Sequence, residues 1–311
     1  MTIQVRPLSD DLPFGARIAG VTREICADLE VRCQINEVFT DRGMIVFEGV
    51  EPTNAMQVAL SEVFGPLEAH ALSDVPLADD EVPGMTDFTY EDIFEVNGRE
   101  LSGFIPWHFD ACYSDALNRG GILRALVISP EGGLTGFADG IQLYEAIDPA
   151  LRDRFEHLNI IYHSHLMFTN LKFGRPASYK GVKVRQMITD MLENTRDAPR
   201  SVHPAIWQRQ TGEKVLHVSP WQAAGIEGME TPEGDALLGA LIAEMEAKVT
   251  PYYHTWKPTD MAIWDNWRFV HAASGNPPQF ARRMQRTTIK GDYGLGRLEQ
   301  PGAAAPVGLD V

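Results

Sequence analysis

Trp107-His108-Phe109-Asp110 puts an imidazole and a carboxylate two residues apart. On a β-strand alternate side chains share a face, so His108 and Asp110 project together and Phe109 turns into the packing. One nitrogen and one carboxylate oxygen on a common face are two thirds of a facial triad. A second imidazole completes it, and the opposite face of the ion stays open for a co-substrate and O2, which suits Fe(II). His271 is the best candidate, in the run Ile263-Trp264-Asp265-Asn266-Trp267-Arg268-Phe269-Val270-His271. A lone His-x-Asp is a weak signal, and its bland alternative is an ordinary half-buried strand. Among the nine histidines, only His108 has an aspartate two residues on.

The segment after His271 strengthens the reading. Ala281-Arg282-Arg283-Met284-Gln285-Arg286-Thr287-Thr288-Ile289 carries three arginines. Arg282 and Arg286 have the same strand parity and face one way; Arg283 faces the other. In this arrangement the chain resembles the TauD/TfdA family of Fe(II)- and 2-oxoglutarate-dependent dioxygenases, typified by taurine dioxygenase. The resemblance runs from about Phe14 to Asp292. It includes Phe64-Gly65-Pro66-Leu67-Glu68-Ala69-His70, similar to a family segment with a substrate-side histidine. It also includes Gly132-Gly133-Leu134-Thr135, similar to the family's Gly-Gly-x-Thr turn.

The resemblance implies that His108, Asp110 and His271 hold Fe(II), with 2-oxoglutarate and O2 as co-substrates. It implies that Arg282 and Thr135 bind the far carboxylate of 2-oxoglutarate, and that Arg286 and His70 meet the substrate. A buried carboxylate is best met by a bidentate guanidinium. The implied reaction releases succinate and CO2 and oxidises a substrate C–H bond, most simply by hydroxylation. Asp110 stands where halogenating relatives leave the metal position vacant, which argues against that branch. The family's assemblies imply a homo-oligomer, a dimer or tetramer.

Two departures bear on the substrate. Phe104 and Ser73 stand where taurine dioxygenase has polar Asn and Tyr. With Trp107, Phe109 and Trp221 they describe a more apolar surround, with Phe104 and Trp221 as pocket residues. The expected substrate is therefore an organic acid, carboxylate or sulfonate, with an apolar or aromatic body. Two competing classes use the same three ligands: a zinc hydrolase and a non-catalytic jelly-roll binding protein. The first gives the arginine pair and Thr135 no task, and the intact triad spacing argues against the second.

Bulk properties agree. The chain has 311 residues, 44% hydrophobic, enough for a large core in one domain, or two at most. A formal net charge of -16 disfavours nucleic-acid binding, and an anionic substrate then needs a local cation. No apolar run is long enough for a membrane span, and the first residues lack a signal-peptide core. Cys26, Cys33 and Cys112 form no disulfide framework, which fits a reducing cytoplasm.

Many short apolar runs between turn signals predict a mainly β chain with flanking helices, built on a double-stranded β-helix (jelly-roll) core like that of clavaminate synthase and taurine dioxygenase. Helices are expected over 23–40, after Thr53, over 140–156 and from Thr231-Pro232-Glu233. The acidic stretch 71–106 reads as an irregular active-site lid. Residues 164–200 lack clear periodicity and read as a variable insertion near the pocket, and 298–311 as a disordered tail.

Overall fold

The computed structural model describes residues 3–69, 77–78, 82 and 84–299. In chain order, strands β1 (Gln4–Pro7) and β2 (Ala16–Ala19) precede helices α1 (Arg23–Cys26) and α2 (Leu29–Arg42). Then come β3 (Met44–Glu48), α3 (Asn54–Phe64), β4 (Met85–Thr89), β5 (Ile93–Val96), β6 (Arg99–His108), β7 (Gly120–Val127) and β8 (Thr135–Asp139). Next are α4 (Gly140–Ala146), α5 (Pro149–Asp153), β9 (Asn159–Tyr162), β10 (Tyr179–Lys183), α6 (Gln186–Asn194), β11 (Ser201–Pro204), β12 (Ile206–Gln208), β13 (Lys214–Leu216) and β14 (Ala223–Ile226). The chain ends with α7 (Pro232–Lys248), β15 (Tyr252–His254), β16 (Met261–Trp264), β17 (Phe269–Asn276), β18 (Arg283–Ile289) and β19 (Arg297–Leu298).

Local chemistry explains the element ends. The expected helix over 23–40 is two helices, because Asp28 caps α2 by accepting from the Glu30 and Val31 amides. Gly43, at φ 71, stops α2 in the left-handed conformation. The 140–156 segment also splits, with Asp148 capping α5 and Pro149 at its first position. Thr53 caps α3, as its position predicts. Thr231 caps α7, whose Leu237, Leu238, Leu241, Ile242 and Met245 are buried.

Two sheets carry the fold. One runs β1-β2-β3-β16-β7-β18-β4 and the other β10-β5-β6-β17-β8-β15. The β2–β3 pairing is parallel. Between the sheets, Leu123, Ala125, Trp264 and Met284 of the first meet Phe137 and Phe269 of the second. The outer face of the first sheet is covered by α1–α3 through Ile18, Phe47, Ile122 and Ile263 against Ile35, Phe39 and Leu60. Each fully buried Leu, Ile or Phe of this kind contributes about 1.5–3 kcal/mol. The mainly β, jelly-roll expectation is met.

The expected irregular lid over 71–106 needs correction. From Met85 onward the segment forms β4, β5 and most of β6. Two of its acidic side chains are partnered by residues remote in sequence: Gln285 Nε2 of β18 donates to Asp87 Oδ1 over 3.0 Å, and Arg185 Nη2, just before α6, to Asp92 Oδ2 over 2.6 Å. The 164–200 segment likewise contains β10 and α6. Of the expected disordered tail 298–311, Leu298 instead ends β19 and Glu299 pairs with Arg200, and the residues from 300 onward lie outside the described ones.

Candidate active site

Register brings the metal-ligand candidates together. In the antiparallel β6–β17 pair, His108 lies directly opposite His271. Opposed residues share a face, so both rings enter the space between the sheets. Their centroids are 4.0 Å apart. Asp110 lies just past the end of β6, and Asn266 braces it there. The Asp110 amide donates to Asn266 Oδ1 over 2.8 Å, and Asn266 Nδ2 donates to the Asp110 carbonyl over 3.1 Å.

The three side chains converge. Asp110 Oδ1 is 4.0 Å from His108 Nε2 and 3.7 Å from His271 Nε2. One ligand atom from each lies within 4.8 Å of the others, and all three residues are buried. His108 Nδ1 donates to the Pro106 carbonyl over 2.8 Å, which leaves the Nε2 lone pair free. Burial lowers the pKa of His108 and of His271, against the pull of Asp110, so both rings are neutral. Burial alone would raise the Asp110 carboxyl. The Arg286 guanidinium, the largest opposing influence, outweighs it and holds Asp110 well below the usual carboxylate range. Asp110 Oδ2 is buried without a partner. Two neutral nitrogens, an ionised carboxylate and an unsatisfied carboxylate oxygen fit a divalent metal ion.

The arginine parity holds. Arg282 is 5% and Arg286 8% exposed, while Arg283 is exposed and pairs with Asp87. The irregularity at Arg283/Met284 skips Leu126 on the β7 side, so the alternation of β18 survives. Arg286 Nη1 donates to Asp110 Oδ1 over 2.7 Å, and its guanidinium lies 5.2 Å from the Phe88 ring centroid. Arg282 Nη2 donates to Thr135 Oγ1 over 3.3 Å, while its Nη1 is buried without a partner. Gly133, at φ 67, lies under the Arg282 stem; a Cβ there would come within 2.9 Å of Arg282 Cδ.

These groups line one cavity of about 500 Å³. Phe104 and Trp221 line it, as expected, and the Trp221 ring meets His108 edge-on at 4.8 Å. His70 and Ser73 lie outside the described residues. Sequence reasoning missed several wall residues: Phe88, Tyr90, Met167, Met187, Ile188 and Met191. The α6 residues had a signal, since Ile188, Met191 and Leu192 recur at helical spacing. It missed the Asn266 brace too, although Asn266 stands in the run quoted with His271, in the turn between β16 and β17. Cys112 is buried, and its thiol donates to Gln222 Oε1 over 2.6 Å.

Behind the triad, the Phe109 ring stacks on His217 with centroids 3.8 Å apart. His217 Nε2 donates to the Asn266 carbonyl and His203 Nε2 to the Ser114 carbonyl. Burial pushes His217 down to about 3 and His203 down to about 4, from 6.5. The folded protein thus keeps both neutral while the unfolded chain protonates them below about 6.5. Stability is expected to be complete above that pH and to fall as pH drops toward 4. At pH 5 the two together cost about 4 kcal/mol. Thermal unfolding across pH 7.5 to 4.5 checks this, and a His217→Phe variant should show a shallower slope. An equal slope would remove His217 as a source.

A mainly β protein with a buried His-Asp-His cluster between its sheets and two buried arginines lining the same cavity has the layout expected of the 2-oxoglutarate-dependent metal oxygenases. Comparison with known proteins makes the assignment. The family described as "Taurine catabolism dioxygenase TauD, TfdA family" matches residues 4–288. The chain belongs to that family and is a dioxygenase that uses Fe(II), 2-oxoglutarate and O2. It is 29% identical over 291 residues to an (S)-phenoxypropionate/alpha-ketoglutarate-dioxygenase of Sphingobium herbicidovorans, covering 91% of this chain and 93% of the relative. An alpha-ketoglutarate-dependent 2,4-dichlorophenoxyacetate dioxygenase of Cupriavidus pinatubonensis is 24% identical, covering 94% of this chain and 99% of the relative. The crystal structure of AAD-2 in complex with Mn(II) and N-oxalylglycine shares the fold at TM-score 0.70 and 22% identity, covering 95% of this chain and 100% of that one. A taurine dioxygenase from Burkholderia xenovorans does so at TM-score 0.67 and 23% identity, covering 97% of this chain and 96% of that one.

Proposed function

We propose that this enzyme hydroxylates a C–H bond of a carboxylic acid with an aromatic body, of the aryloxyalkanoate kind. His108, Asp110 and His271 would hold the iron. Iron held there would supply, from 2-oxoglutarate and O2, the oxidising chemistry for a C–H bond, with succinate and CO2 as the co-products. Thr135 and Arg282 would hold the far carboxylate of 2-oxoglutarate.

Arg286 carries the substrate reading. It is a buried cation beside the metal ligands, and its Nε has no partner. In a chain of net charge -16, a local cation is what holds an anion. The substrate body would rest against Phe104, Trp221, Phe168 and the α6 methionines, a wall rich in aromatic rings and adaptable thioethers. Relatives named for phenoxypropionate and 2,4-dichlorophenoxyacetate support an aryloxy acid. His70 would add a hydrogen-bond donor. On the same reading the chain works as one domain, in a homo-oligomer within a reducing cytoplasm. Three free cysteines support the compartment, and no described helix is long and apolar enough to cross a membrane.

The test compares aryloxy acids with their methyl esters, read by succinate formation. Acids are expected to be consumed and esters not. Arg286→Ala should lower substrate-dependent turnover by about 30-fold or more, the loss of one buried charge pair, while slow substrate-free decay of 2-oxoglutarate persists. Equal use of acids and esters would sink the anchor role.

A further inference from the structure

We propose that Trp256 is a positioning residue for 2-oxoglutarate: its indole N–H turns the Thr135 hydroxyl proton toward the co-substrate's far carboxylate. The inference rests on the reading that Thr135 and Arg282 hold that carboxylate. Trp256 does not line the cavity and acts only through Thr135.

The argument is a count of donors and acceptors. A threonine hydroxyl has one proton to give and two lone pairs to receive. Trp256 Nε1 donates to Thr135 Oγ1 over 3.0 Å, and Arg282 Nη2 donates to it over 3.3 Å. An indole N–H and a guanidinium N–H can only donate. Both lone pairs are therefore engaged, and the O–H must give its proton elsewhere. Among the described residues no protein acceptor takes it. Thr135 is 3% exposed and lines the cavity, so the free direction of its O–H is the cavity. Beside it, Arg282 Nη1 is a second buried donor without a partner. Two adjacent unmet donors aimed at one space match the two oxygens of a carboxylate. Without the indole N–H the hydroxyl could rotate, and its proton would no longer be committed.

The indole is itself held. The His254 ring meets Trp256 edge-on at 4.5 Å. Tyr252 Oη lies 3.0 Å from His254 Nδ1, and Asp260 Oδ2 lies 3.3 Å from His254 Nε2. Arg17 Nη2 donates to Tyr252 Oη over 2.7 Å. A half-buried polar chain thus runs from Arg17 through Tyr252 to His254, whose ring packs on the edge of Trp256.

The test is binding without turnover, with Mn(II) in place of Fe(II) and no O2. Trp256→Phe should weaken 2-oxoglutarate about fivefold, the worth of one buried hydrogen bond. It should leave 2-oxobutanoate, which lacks the far carboxylate, unchanged. In a Thr135→Val background Trp256→Phe should have no further effect, because the group it orients is gone. Replacing Trp256 by 3-benzothienylalanine deletes only the N–H and should reproduce the result if Trp256→Phe folds poorly. Equal weakening of both ligands, additivity with Thr135→Val, or unchanged 2-oxoglutarate affinity would each overturn the proposal. Failure of the underlying reading looks different: Thr135→Val and Arg282→Leu would themselves leave 2-oxoglutarate affinity untouched.

Discussion

His271→Ala is expected to abolish 2-oxoglutarate turnover and to weaken Fe(II) or Mn(II) binding by about 100-fold or more, since even changes around a metal's ligands cost 10–100-fold. His271 supplies one of three converging donors, and the two that remain cannot cap one face of an ion. Arg286 sharpens the effect. Its guanidinium already contacts Asp110 Oδ1 at 2.7 Å. With one imidazole gone, the carboxylate keeps its arginine partner and has less to gain from metal. The fold should survive. The lost ring packs on Trp264 at 4.5 Å, but its Nδ1 is a buried orphan whose removal is favourable. Unchanged circular dichroism with a modestly lower Tm is the expected control. Turnover within tenfold of the parent would remove His271 from the metal site. Chelation of the intact enzyme should give the same loss of turnover, reversed by added Fe(II).

The triad was legible because two short-range rules sufficed. Strand alternation put His108 and Asp110 near one another, and an arginine-spaced final strand pointed back to His271. That His271 sits directly opposite His108 is a matter of register between strands more than 150 residues apart, which no local pattern carries. The 71–106 segment misled for a related reason. Nine acidic residues with three prolines look solvated when read locally. Asp87 and Asp92 instead meet Gln285, Arg283 and Arg185, partners remote in sequence, and those contacts allow strands to form there. Short helices were lost in the opposite way: α6 carries its spacing over only nine residues, flanked by charge, and a wide window averages it out. Trp256 carries no local signal of a role, and only its three-dimensional contact with Thr135 gives it one.

Arg282→Leu should raise the concentration of 2-oxoglutarate needed for half-maximal turnover by roughly 30-fold to several thousandfold, the equivalent of about 2–5 kcal/mol. The size follows from burial. Arg282 is 5% exposed, stacks its guanidinium 4.5 Å from the Tyr90 ring centroid and contacts Thr135. A carboxylate entering this site gives up its water, and only a fixed charge repays that loss. Leucine keeps much of the volume and repays nothing. Arg283 is the internal control. It neighbours Arg282 in sequence, yet its side chain is exposed and pairs with Asp87 at the surface, where such pairs are worth about 0–1 kcal/mol. Arg283→Leu should therefore change the 2-oxoglutarate requirement less than about fivefold. Both variants are read in the same succinate assay across a 2-oxoglutarate series at saturating substrate. If the two phenotypes were exchanged, the strand parity that turns Arg282 inward and Arg283 outward would be wrong, and with it the placement of Arg286.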